Sequence, residues 1–242
     1  MRTEIILGDA YEMMRIMESD SFGCVVTSPP YNIGVDYGAV GDRMTPAEYS
    51  EFTQDWVGEA LRLAPVLVVN FGAPSSNVEN LGRFICDLSS RGKIQAHIVW
   101  VKSISSDQFT GGHFKPVNSD RFLNNVHESV FIVSRTGRYA LDRLAVGVPF
   151  ADKSNIARFA GNGGRDLRCR GNVWYLPYET RLARKSHPAT YPQKLAEMMI
   201  KITGCRGRVL DPFVGSGTTL RAADALGLDS VGIDLRKWPD EN

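Results

Sequence analysis

Apolar and polar positions along the chain change period several times, from the alternation of short strands to the three-to-four-residue spacing of helices. Glu4-Ile5-Ile6-Leu7 reads as a strand ending at Gly8-Asp9, and Ala10 to Met17 has helical spacing. Gly23 to Thr27 is a second strand. Thr45-Pro46-Ala47-Glu48 combines an N-cap hydroxyl, a first-turn proline and a capping-box glutamate, which predicts a helix opening there and running through Leu63. Val66 to Phe71 reads as a buried strand. Ile94 to Lys102 and His127 to Ser134 are two more, expected as neighbours at the sheet edge, with a polar loop from Ser103 to Asn125 between them. Gln193 to Thr203 is a helix with Leu195, Met199 and Ile202 on one face. It leads into a short strand, Val209-Leu210, a Gly-rich turn, a helix from Thr218 through Leu226, and a strand from Ser230 to Ile233 that ends in Asp234. Strands alternating with helices predict an α/β chain on a doubly wound, mostly parallel sheet.

The turn after Val209-Leu210 carries the first chemistry. In Asp211-Pro212-Phe213-Val214-Gly215-Ser216-Gly217-Thr218-Thr219, the two glycines let the backbone approach a ligand, and the free N–H groups at a helix start favour electron-rich atoms. A plain strand-to-helix connection has the same look. Asp234, 19 residues after Gly215 and at the end of the next strand, stands where a doubly wound sheet holds a ribose hydroxyl pair. Leu220 replaces the third glycine of the dinucleotide fingerprint, and no Gly-Lys-Ser/Thr follows, so neither a dinucleotide site nor a P-loop is expected. A nucleoside ligand without a pyrophosphate fits better, and S-adenosylmethionine is the candidate. Asp9, at the tip of the first strand, either caps the following helix or reaches the adenosine part of that cofactor.

The second strand runs into Ser28-Pro29-Pro30-Tyr31-Asn32. Two prolines hold the backbone stiff and extended with no N–H to give, leaving carbonyls and the Ser28 hydroxyl as acceptors beside the flat ring of Tyr31. A rigid turn around a buried tyrosine is the plainer account. Acceptors next to a stacking ring also make a pocket for a planar group bearing an amine.

Ser28-Pro29-Pro30-Tyr31 resembles the catalytic tetrapeptide of the DNA amino-methyltransferases, and Asp211 to Gly217 resembles their S-adenosylmethionine motif. Catalytic motif first, cofactor motif last and a basic segment between them is similar to the permuted β group of that family. The resemblance extends to Gly8-Asp9, to His127 through Ser134 and to His187-Pro188-Ala189-Thr190-Tyr191-Pro192. It implies a circularly permuted, Rossmann-like methyltransferase sheet whose first and last strands are neighbours. Ser28, Pro29, Pro30 and Tyr31 would form the catalytic site, and Asp9, Asp211, Phe213, Gly215, Ser216, Gly217, Thr218, Thr219 and Asp234 would hold the cofactor. It also implies methyl transfer to the exocyclic amine of a base flipped from double-stranded DNA. In this family Ser at the first motif position leans towards N4 of cytosine, and Asp or Asn towards N6 of adenine. No Pro-Cys is present to supply the nucleophile of a cytosine-carbon enzyme. An inactive nucleic-acid-binding relative of the same fold, or an RNA or protein-glutamine methyltransferase, is the alternative.

Charge and composition add a partner and a compartment. The net charge of +1 hides an asymmetry: Arg135 to Lys185 has 11 Lys and Arg against four acids, an excess of +7, and the rest of the chain carries −6. Residues 136–185 are therefore the expected target-recognition segment, set between two parts of a catalytic domain, 1–135 and 186–242. A basic solvated loop is the alternative. A Gly-rich turn at Gly161-Asn162-Gly163-Gly164 precedes Arg165, Arg168 and Arg170, which with Lys185 are the DNA-binding candidates, contacting phosphates or reading guanine. The four cysteines form no Cys-x-x-Cys, so no metal is expected, and a reducing cytoplasm is the expected compartment. No apolar window approaches a membrane span, and a homodimer is compatible with the pattern.

Overall fold

The computed structural model describes residues 1–34, 43–112, 118–158, 163–177 and 191–235. Strand β1 (Thr3–Leu7) leads to helix α1 (Ala10–Arg15), β2 (Cys24–Thr27), α2 (Pro46–Leu63), β3 (Val66–Phe71), α3 (Glu79–Arg91) and β4 (Lys93–Val101). A small hairpin of β5 (Ile104–Ser105) and β6 (Thr110–Gly111) precedes β7 (His127–Ser134). After a 3-10 turn at Lys153–Arg158 come β8 (Val173–Tyr175), α4 (Gln193–Ile202), β9 (Val209–Asp211), α5 (Thr218–Ala225) and β10 (Ser230–Asp234). Among the described residues no helix is long and apolar enough to cross a membrane.

The local codes act as expected at the clearest element. Thr45 accepts the Glu48 amide, Glu48 accepts the Thr45 amide, and Pro46 occupies the first turn of α2. Its buried positions Tyr49, Thr53, Trp56, Val57, Ala60 and Leu61 recur at three and four residues, the stripe a helix presents to a sheet.

Eight strands form one sheet in the order β1-β10-β9-β2-β3-β7-β4-β8, and only β7 runs against the rest. Alternate side chains of the central strands enter two cores. Val25, Leu67, Val69, Phe131 and Val133 meet α1, α2 and α3, whereas Cys24, Val26, Val66, Val68, Val130 and Ile132 meet α4 and α5. Strands buried on both faces read as the continuous apolar runs seen in β2 and β3. The first and last strands pair in parallel from Thr3 opposite Ser230 to Leu7 opposite Asp234, the neighbourhood that the permuted order requires.

Three features depart from expectation. The edge beyond β7 and β4 is taken by β8, with Trp174 opposite Trp100. Trp100 Nε1 donates to the Leu176 carbonyl at 3.0 Å and both indoles are buried, so part of the basic segment is built into the main sheet. The stretch from Ser103 to Asn125 contains the β5–β6 hairpin rather than a plain loop. Helix α3 has no sequence start signal, because its N-cap is Val78 and no side chain caps it.

Candidate active site

Because β1, β10, β9, β2 and β3 are parallel, their carboxyl ends share one edge. The chain goes from β9 outward to β10 on one side and from β2 outward to β3 on the other, so the crevice between the β9 and β2 tips is the topological switch point where open α/β sheets bind ligands. Here the two motifs, far apart in sequence, are joined: Thr27 Oγ1 donates to Asp211 Oδ1 at 2.6 Å. Asp9, the Asp211–Thr219 turn and Asp234 lie at the tips of three adjacent strands.

Asp211 sits beneath the turn, fully buried. Its Oδ1 also accepts the Phe213 amide at 3.1 Å and its Oδ2 accepts the Thr219 hydroxyl, which in turn meets the Tyr191 hydroxyl at 2.5 Å. Burial pushes its pKa up to about 6 and the Asp234 charge adds to this, against the three hydrogen bonds. Burial, with the Asp211 charge, pushes Tyr191 well above the ordinary phenol value. The side chains of Asp211 and Thr219 therefore brace the cofactor turn from inside. Above them, Gly215 and Gly217 take φ of 48° and 78°, a region that a side chain rarely adopts, and Gly217 opens α5 with no side-chain cap. Gly215 donates its amide to Asp234 Oδ2 at 3.0 Å, so the carboxylate placed for a ribose also ties the turn to β10. Ser216 and Thr218 hydroxyls lie 3.3 Å apart, and the Arg221 guanidinium donates to the Ser216 carbonyl at 2.5 Å. The Phe213 ring packs on Trp56 and Phe52 at centroid distances of 5.4 and 5.8 Å. Asp9 caps α1, accepting the Glu12 amide at 3.1 Å, the plainer of its two expected roles.

At the β2 tip the Pro30 carbonyl accepts the Tyr49 hydroxyl at 2.6 Å, fastening Ser28-Pro29-Pro30 to α2. Asn32, at φ 57°, exchanges two hydrogen bonds with the Met44 backbone, at 2.9 and 2.7 Å. Residues 35–42, where Val35 to Gly38 were read as a loop, lie outside the described residues. The Tyr31 ring stands edge-on to Phe71 at 5.0 Å, and its hydroxyl is 2.7 Å from Ser28 Oγ. Gly72 leaves room for that ring, since a Cβ there would come within 3.0 Å of Tyr31 Cε2.

Sequence reasoning missed the groups behind Tyr31. Asn70 Nδ2 donates to the Tyr31 oxygen at 2.5 Å and to Glu128 Oε2 at 2.7 Å, the Tyr31 hydroxyl reaches Glu128 Oε2 at 3.3 Å, and Lys102 Nζ pairs with Glu128 Oε1 at 2.9 Å. These residues come from the ends of β3, β7 and β4. The one available signal was a polar residue inside an apolar strand, Asn70 in Val66 to Phe71, which is costly to bury unless hydrogen-bonded.

Of the DNA-binding candidates, Arg165 and Arg168 are exposed, and Arg168 pairs its backbone with Val148. Arg170 Nε donates to the Val146 carbonyl at 2.9 Å, which gives it a structural tie. Gly161, Asn162, Lys185 and His187 to Thr190 lie outside the described residues.

The family model of the N6/N4 type described as DNA methylase matches residues 22–238. The chain belongs to this DNA methylase family. As a DNA methylase it is 30% identical over 252 residues to the Type II methyltransferase M.ScaI of Streptomyces caespitosus, covering 95% of this chain and 76% of that one. It is 27% identical over 241 residues to the Type II methyltransferase M.HpaI of Haemophilus parainfluenzae, covering 98% and 71%. Among solved structures, PvuII DNA methyltransferase (cytosine-N4-specific) superposes with a TM-score of 0.69 at 18% identity, covering 98% of this chain and 83% of that one. A DNA modification methylase from Thermus thermophilus, TTHA0409, complexed with S-adenosyl-L-methionine, gives 0.61 at 23% identity, covering 97% and 88%. The methylase thus has the Rossmann-like fold of these enzymes, with its two motif-bearing strand tips side by side.

Proposed function

We propose that this DNA methylase transfers a methyl group from S-adenosylmethionine to N4 of a cytosine flipped out of duplex DNA. The observation that carries the reading is the junction of the two strand tips, where Thr27 of the Ser28-Pro29-Pro30-Tyr31 strand is hydrogen-bonded to Asp211 of the cofactor turn. That bond sets an amine-binding corner beside a nucleoside cradle. The cradle fits the cofactor: two glycines in left-handed conformations admit close approach, and Asp234 stands at the next strand tip as the ribose acceptor. When bound, S-adenosylmethionine supplies an electrophilic sulfonium methyl.

The protein's part is positioning and electrostatics. Ser28 Oγ and the Pro29 carbonyl accept the two amine hydrogens, which draws the nitrogen lone pair out of conjugation with the base ring and aims it at the methyl carbon. The C–S bond breaks as the C–N bond forms, and the nitrogen then gives up one proton. Tyr31 stacks on the extruded base and offsets part of the unstacking cost of a few kcal/mol. Residues 136–185 form the recognition segment, with Arg165 and Arg168 turned to DNA. The enzyme works in the cytoplasm, in a restriction–modification pairing consistent with its Type II relatives, as a monomer or homodimer.

Cytosine is favoured by serine at the first position of the tetrapeptide. Adenine N6 is the second reading, supported by 23% identity over 242 residues to the DNA adenine methyltransferase YhdJ of Escherichia coli (strain K12). Incubating the protein with methyl-labelled cofactor and, in parallel, duplex DNA, RNA and protein, then digesting the product to nucleosides, tests both. N4-methyldeoxycytidine is the expected product. N6-methyldeoxyadenosine selects the second reading, and label confined to RNA or protein overturns both.

A further inference from the structure

We infer that Glu128 is a positioning residue that makes Ser28 a hydrogen-bond acceptor, acting through the Tyr31 hydroxyl; this rests on the amine-methylating reading of the site. Protons can be counted along the chain of contacts. Glu128 pairs with Lys102 at 2.9 Å, with side-chain exposures of only 15% and 17%, so its carboxylate is ionised and only accepts. Asn70 has two N–H hydrogens, and its Nδ2 makes two contacts, to Glu128 Oε2 at 2.7 Å and to the Tyr31 oxygen at 2.5 Å. Exchanging the amide ends would set the Asn70 carbonyl oxygen against the carboxylate, two acceptors face to face, so the orientation is fixed by Glu128.

The Tyr31 oxygen therefore accepts from Asn70. Its single proton goes to Glu128 Oε2, 3.3 Å away, because the negative charge outweighs the neutral Ser28 oxygen as a destination. The 2.7 Å contact between Ser28 Oγ and Tyr31 still needs one hydrogen, and only Ser28 has one left to give. With that hydrogen turned back towards Tyr31, Ser28 presents lone pairs to the pocket, the polarity an amine N–H requires. A serine hydroxyl alone rotates freely between donor and acceptor. The charge of Glu128, two hydrogen bonds away, selects one of the two.

Neutron diffraction on deuterium-exchanged protein reads the assignment directly and independently of activity. Deuterium on Ser28 Oγ pointing to the Tyr31 oxygen is expected, and deuterium pointing into the pocket overturns the inference. Kinetics give the second readout. Glu128→Gln removes the charge with little change of shape, and should lower kcat by about tenfold, the worth of one hydrogen bond at the reacting amine, with KM for the cofactor unchanged. The cofactor strands lie on the far side of β2 and β3 from β7, which is why KM is expected to hold. In a Tyr31→Phe background the link is already cut, so Glu128→Gln should add no further loss. Fully additive losses, or a loss that falls on cofactor KM, overturn the inference. Failure of the wild-type protein to methylate any DNA base overturns the proposed function instead, and the neutron map still decides the proton positions.

Discussion

Replacing Thr27 by valine tests the junction between the two motifs. Valine keeps the volume and the strand preference of threonine and removes only the hydroxyl that donates to Asp211 Oδ1 at 2.6 Å. Thr27 and Asp211 are both buried, at 0% and 2% exposure, so water cannot replace the lost donor. A hydrogen bond to a buried charged group is worth about 1.5–3 kcal/mol, which for a chain of 242 residues corresponds to a fall in Tm of roughly 4–8 °C. The effect has a sign in pH. Asp211 has its folded-state pKa raised to about 6 from an ordinary 3.8, so the folded protein keeps a proton that the unfolded chain has lost. Its stability contribution is complete below the unfolded value and is lost as pH rises through 6. Thr27 lowers that pKa, so in the valine variant it rises further and the loss deepens above pH 6. Denaturant unfolding of both proteins at pH 5, 6, 7 and 8 should show a deficit that is small at pH 5 and grows towards pH 8. A deficit that is constant, or that shrinks with rising pH, would refute the account of Asp211 as a buried brace held by Thr27.

Other outcomes follow from the same geometry. Asp234→Ala should weaken cofactor binding by about 1–3 kcal/mol in calorimetry, with less effect on DNA binding, while Asp234→Asn, which can still accept the Gly215 amide, should lose less. Tyr31→Ala should reduce turnover with cofactor affinity nearly intact, and Tyr31→Phe should fall between it and wild type, because the ring remains while Asn70 and Ser28 lose the hydroxyl they meet; equal loss in both variants would remove the stacking role. Of the clustered arginines, Arg168→Ala should weaken duplex binding without altering the melting temperature. Arg170→Ala should also lower that temperature, since it removes the donor to Val146; unchanged affinity and salt dependence in alanine variants of Arg165, Arg168 and Arg170 would move recognition to the Ser103–Asn125 stretch.

Whatever is encoded within a few neighbouring residues was legible in the chain. The capping box at Thr45, the prolines after Ser28, the glycines of the cofactor turn and the apolar runs of β2 and β3 each act over one turn or one strand, so residue type suffices to place them. Strand β8 was not legible, because three residues hold no periodicity and their pairing comes from Trp174 packing beside Trp100, some seventy positions away. Helix α3 lacked a cap, although Leu81, Phe84, Ile85 and Leu88 have helical spacing. The division of labour at the site also belonged to the tertiary structure. Asp211 and Asp234 are both acids at strand tips, and only burial separates the brace beneath the turn from the carboxylate beside it. Asn70, Lys102 and Glu128 carry no motif, and they become one hydrogen-bonded group only because β3, β7 and β4 lie side by side. Residue type decides which groups can donate and accept; which of them meet is set by strand order.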